Sequence, residues 1–141
     1  MDLKELLSAN SQIDFVDVVS YRPLPPRYVG LVTVSGRAIY LTTDMCDLGE
    51  RVEVGILKLV DPWKASGEEA EVKERFPGGR VVASEYLQAP NVDRISGVRI
   101  KLDTGDLIVT AGDAPYSIFF SFGDVQRGRP EFPIDEYKPI A

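Results

Sequence analysis

Hydrophobic and polar positions alternate along much of the chain, and the alternation outlines strands. Val98, Ile100 and Leu102 interleave with Arg99, Lys101 and Asp103, the period-two pattern of a half-buried strand. Asp103-Thr104-Gly105-Asp106 then turns the chain and Leu107 to Ala111 returns. Gly112-Asp113-Ala114-Pro115 turns it again, and Tyr116, Ile118, Phe120 and Phe122 fall on one face of the next strand. These segments predict an antiparallel meander. An earlier hairpin is predicted from Tyr28–Val34 and Arg37–Thr43, because glycine in the Ser35-Gly36 turn supplies the positive φ a tight hairpin needs. Gln12 to Ser20 is too rich in β-branched residues for a comfortable helix and reads as strand. Arg80–Leu87 and Arg51–Val60 read the same way. In Arg51–Val60 the apolar positions change face beside Gly55, which predicts a bulge or bend there.

Helix is expected in two places. Asp2 caps a short segment to Ala9 in which Leu3, Leu6 and Leu7 share a face. Gly67 to Phe76 is the stronger prediction. Ser66 and Glu69 match a capping box, Val72 and Phe76 are spaced i, i+4, and Pro77-Gly78-Gly79 supplies the stop. The connections are also readable. Tyr21 to Arg27, with prolines at 23, 25 and 26, is a stiff extended link. Asp44 to Glu50 reads as a polar loop holding Met45 and Cys46. Residues 123–141 form a Pro-rich extended arm lying over the domain or a neighbouring copy. The whole predicts one domain, 1–141, of the α+β class. Its sheet is mostly antiparallel, curved or closed into a partial barrel of about six to eight strands, with one packed helix and a short N-terminal one. Sliding the chain by 69 residues lays Val29 on Val98, Leu31 on Ile100, Gly36 on Gly105, Ile39 on Ile108 and Asp44 on Asp113. That offset fits a duplicated hairpin, or simply what any two hairpins share.

Composition narrows the chemistry. The 141 residues include no histidine and a single cysteine, Cys46. Ser-His and Cys-His catalysis, imidazole-ligated metals and Cys-rich zinc sites are thereby excluded. A lone cysteine forms no disulfide within the chain, which together with the charged start Met1–Ser8 points to a reducing, cytoplasmic setting without a signal peptide. Both halves are acidic, residues 1–60 with 6 basic and 8 acidic groups and 61–141 with 10 and 14, for a net charge of −6. Nucleic acid is therefore a poor partner, and no run is long and apolar enough for a membrane span. No cofactor is implied.

Carboxylates carry what chemistry remains. Glu68, Glu71 and Glu74 share one face of the expected helix, and with the nearby Trp63 they outline a surface that would steer and grip a basic protein. On this reading the chain is a non-enzymatic acidic binding module, for example an immunity-type inhibitor of a basic toxin such as a nuclease. A second reading is a carboxylate-based enzyme or small-ligand binding protein that uses Asp44, Asp47 and Glu50, or Asp103, Asp106 and Asp113, to hold a sugar or small cation, with Tyr21, Tyr28, Tyr40, Trp63 and Tyr86 as exposed stacking rings. Turn chemistry accounts for the same aspartates, since Asp bonds back to its own backbone. A third reading is an assembly subunit, in which residues 123–141 cross to a second copy.

Overall fold

A computed structural model describes residues 3–21, 23–47, 53–60 and 71–140. After the helix α1 (Leu3–Ala9) the regular structure of the described residues is mostly strand. β1 (Gln12–Tyr21), β2 (Pro26–Thr33), β3 (Ala38–Asp47) and β4 (Glu53–Val60) form one antiparallel meander. β5 (Glu71–Gln88), β6 (Gly97–Leu102), β7 (Gly105–Ala111), β8 (Ile118–Phe122) and β9 (Val125–Arg127) form another. A short β10 (Lys138–Pro139) pairs with the end of β5. The strands follow one path, β4-β3-β2-β1-β5-β6-β7-β8-β9. As expected the sheet is mostly antiparallel, but it is not closed into a barrel, and among the described residues it has ten strands where about six to eight were predicted.

β5 joins the two halves. Its first part, Glu71–Arg80, pairs with β1, and its second part, Val81–Leu87, pairs with β6. The corner between them is Pro77-Gly78-Gly79. A Cβ on Gly78 would strike the Ile13 carbonyl, and one on Gly79 would lie 2.6 Å from Asp103 Oδ1, so only glycine lets the backbones approach this closely. The same residues that read as a helix stop are the bend of a long strand. Folded there, the halves lie face to face over a shared core. Val16, Val18, Val29, Leu31, Ile39 and Leu41 of the first half meet Val98, Ile100, Leu107, Val109, Ile118 and Phe120 of the second, with Leu3 and Leu7 of α1 in the same cluster.

The helix expected at Gly67–Phe76 is corrected by this arrangement: Glu71–Phe76 is strand, every residue of it paired with β1. The physical reason is non-local. β1 is buried on both faces, with Val16, Val18 and Val19 fully enclosed, and its edge needs a hydrogen-bonded neighbour. That ladder outweighs the weak helical preference of a single turn. Residues 61–70, with the Ser66–Glu69 capping box and Trp63, lie outside the described residues. Two smaller corrections follow. The β3–β4 register runs unbroken past Gly55, so no bulge forms. Glycine is needed there because a Cβ would collide with Ala111 Cβ of the facing sheet. And β3 continues through Asp47, so Asp44 and Asp47 are strand positions, not loop.

The internal similarity has a structural counterpart. β2 flanks β1 as β6 flanks β5, and Val29, Leu31, Val98 and Ile100 are all buried. Beyond the turn the match slips by one. Leu31 pairs with Ile39 and Ile100 with Leu107, so the counterpart of Ile39 is Leu107 and not Ile108. The first hairpin loop holds one residue more, and a one-residue slip exchanges the faces of a strand.

The C-terminal arm is tied down within the chain. Pro130 bridges to Gly112, Tyr137 is buried with Phe132 and Ile134 packed near it, and Lys138 pairs with Gln88.

Candidate functional site: a basic and aromatic cleft

The two Pro residues before Arg27 shape the site. Val19 pairs with Tyr28 and Ser20 with Pro26, so Arg27 is the extra residue of a β-bulge. Bulges re-aim side chains, and this one directs Arg27 toward the facing sheet. Its guanidinium carbon lies 5.8 Å from the Tyr28 ring centroid and 5.7 Å from that of Tyr116. Both distances suit cation–π attraction. Thr42 Oγ1 donates to the Arg27 carbonyl at 2.7 Å and fixes the bulge from β3. Among the described residues no carboxylate pairs with Arg27.

Tyr116 comes from the turn between β7 and β8 and has φ 60°, a left-handed conformation that a bulky residue rarely adopts. The turn holds it there. Gly112 N donates to the Ser117 carbonyl at 2.9 Å, Ser117 Oγ to the Ala114 carbonyl at 2.6 Å, and Thr43 Oγ1 of β3 to the Ser117 carbonyl at 2.8 Å. The Thr43 bond spans the two halves of the sheet and is buried. Tyr116 was expected on a strand face with Ile118 and Phe120; it stands instead at the turn, 45% exposed.

Around this stack lies a cleft of ≈ 610 Å³, lined also by Arg37, Tyr40, Asp44 and Lys58. That volume is in the range of small-molecule sites. Lys58 Nζ approaches Asp44 Oδ2 at 3.7 Å with both side chains about half exposed, a pair that water and salt weaken. Among the described residues the cleft's charged lining is Arg27, Arg37, Lys58 and Asp44, on a chain whose net charge is −6.

The carboxylates singled out from sequence are dispersed. Glu71 and Glu74 sit on β5, where positions three apart face opposite sides. Glu71 lies 3.7 Å from Lys73, and Glu74 is held by Arg127 at 2.8 Å. The hydrogen bond to Glu74 raises the Arg127 pKa further above its ordinary value. Asp103 accepts the Arg80 N–H at 2.9 Å, a turn contact. Asp106 is the second residue of β7 and Asp113 lies beyond its other end, roughly 20 Å along the strand. Among the described residues no three His, Cys, Asp or Glu side chains come together to hold a metal ion. Glu50, Trp63 and Glu68 lie outside the described residues, as does the side chain of Asp47. Of the rings expected to be exposed, Tyr40 is buried over Gly30, and Tyr21, Tyr28 and Tyr86 are half-buried.

Two further groups are electrostatically unusual. Asp17, 2% exposed, receives a bidentate contact from Arg75 at 2.9 and 3.2 Å, and the guanidinium lies 3.6 Å from the Phe15 ring centroid. The Asp17 hydrogen bond raises the Arg75 pKa. Glu131 accepts the Gly55 N–H at 3.2 Å and so joins the arm to β4. Its burial lifts its pKa, and the Gly55 N–H partly opposes that lift.

Compared with family models, curated proteins and solved structures, the chain matches none. What fold and site define is therefore a class by architecture: a ten-stranded antiparallel sheet folded over at one long strand, with a basic and aromatic cleft where its two halves meet. Among the described residues no helix is long and apolar enough to cross a membrane.

Proposed function

We propose that the chain is a non-enzymatic binding module and that the cleft between β2, β3, β4 and the β7–β8 turn takes an anionic ligand. One observation carries this reading: Arg27 lies within 6 Å of both the Tyr28 and Tyr116 ring centroids, at 5.8 and 5.7 Å, without a carboxylate partner among the described residues. A cation without a carboxylate beside it in a concave site favours an incoming anion. Thermal shift with inorganic phosphate and citrate at low and high salt tests it. Wild type should be stabilised, and more so at low salt. Arg27→Ala should lose the stabilisation, while Arg99→Ala, which removes an ion pair on β6, should keep it. Equal stabilisation of wild type and Arg27→Ala would refute the proposal.

A second reading keeps the inhibitor of a basic toxin, with its surface moved. The net charge of −6 and an open groove of ≈ 630 Å³ bearing Asp93, Asp135 and Glu136 beside Lys138 support a cationic protein partner. Capture of a basic protein from lysate that weakens with salt, and weakens again when the three acids are changed to Lys, is the expected result. Association unaffected by those changes would remove it.

A further inference from the structure

We infer that the cleft reads an oxyanion that offers two oxygens, a carboxylate or phosphoester, carried on a flat ring, and that Tyr116 is the positioning residue that makes this selection. The inference rests on the anion-binding reading above and adds the ligand's shape to its charge.

The geometry of Arg27 restricts the anion. The guanidinium lies near two tyrosine rings, at 5.8 and 5.7 Å, and what it offers to an anion in the cleft is its N–H edge. That edge is a planar fork that matches two oxygens of one carboxylate or phosphate group. Spherical anions and a bare positive charge make no such demand. Lys58, held only by the half-exposed Asp44 at 3.7 Å, supplies a second charge for a group that carries more than one.

Tyr116 supplies the shape. A bulky side chain at φ 60° is strained, and such strain persists where the surroundings over-determine it and tends to gather at functional sites. Here the surroundings are explicit: Ser117 and Thr43 pin the turn from both sides. The sequence spends a conformational penalty to place an aromatic ring over Arg27 at a position where glycine or asparagine would fit without strain. The ring stays 45% exposed, so its outer surface is available to a second ring. A ligand with its oxyanion on the Arg27 edge and its ring against Tyr116 would satisfy both, and the ≈ 610 Å³ cleft holds a molecule of that size.

The test is calorimetric titration with phenyl phosphate, benzoate, phenol and inorganic phosphate. Phenyl phosphate and benzoate should bind wild type at least about tenfold more tightly than phenol or inorganic phosphate do. Arg27→Lys keeps the charge and loses the fork, and should weaken both ring-bearing anions by about tenfold or more. Tyr116→Gly, with Tyr116→Asn as a second variant tolerant of the left-handed turn, should weaken them similarly while the melting temperature holds or rises. Inorganic phosphate binding as tightly as phenyl phosphate, with dependence on Arg27, would overturn the ring requirement and leave the anion reading standing. Phenol binding as tightly as phenyl phosphate, or Arg27→Lys binding as wild type does, would overturn the two-oxygen inference. No binding by any anion would overturn both.

Discussion

Tyr116 reaches the cleft because the two halves of the sheet close on each other, and one contact reports on that closure. Gly55 of β4 faces Ala111 of β7, and a Cβ at 55 would sit well inside van der Waals contact of Ala111 Cβ. Gly55→Ala must therefore push the sheets apart locally until the methyl groups reach about 3.5–4.0 Å. Overpacking of a fitted core costs about 1–3 kcal/mol. Replacing a strand glycine by alanine returns about 0.5–1 kcal/mol, so the net loss should be about 0.5–2 kcal/mol. For a chain of 141 residues that is a drop of a few degrees, at about 3–5 °C per kcal/mol. Ala111→Gly alone should also destabilise, since Ala111 is 1% exposed and loses a buried methyl. The double variant moves the methyl from one sheet to the other and should be better than the sum of the single losses, by about 1 kcal/mol or more. Urea denaturation of the four proteins measures this coupling. Additive losses would show that β4 and β7 do not meet as described, and the placement of Lys58 and Tyr116 in one cleft would lose its basis.

The pH dependence of Glu131 is a second expectation. Burial raises its folded-state pKa, so its contribution to stability is present below the unfolded-state pKa and is lost as pH rises through the folded value. Glu131→Gln keeps an oxygen for the Gly55 N–H and has no charge to bury, so it should gain on wild type as pH goes from acid to neutral; parallel melting-temperature profiles would refute the assignment. Asp103→Ala should lower stability, by about 1 kcal/mol for the lost Arg80 N–H contact, and leave calcium titrations unchanged; a calcium response present in wild type and absent in the variant would return Asp103 to a ligand role. Thr43→Val removes the buried donor to the Ser117 carbonyl and should cost about 1 kcal/mol by urea denaturation. It should also loosen the anion affinity of the cleft, because the Tyr116 turn hangs from that bond; unchanged affinity would detach the turn from the site.

Local patterns were legible wherever neighbours in sequence are neighbours in space. The Val98–Phe122 meander, the hairpin around Gly36 and the N-terminal helix follow from alternation, turn residues and one leucine face. Composition set the chemistry: without histidine and with Cys46 alone, what remains is charge, carboxylates and rings. The tertiary structure decided the rest. Glu71–Phe76 carries helix spacing, yet it pairs with β1 some 50 to 60 residues away in the chain, and no local pattern records an edge that needs a partner. Pro77-Gly78-Gly79 signals only that the backbone changes direction; whether it ends a helix or bends a strand depends on Ile13 and Asp103 lying against it. The site shows the same division. The prolines before Arg27 were visible, but the bulge that frees Arg27 needs the β1 register, and Tyr116 reaches Arg27 only when the halves close. Sequence determines periodicity and the stock of chemical groups, whereas the meeting of groups distant along the chain is settled by which pairings together bury the core.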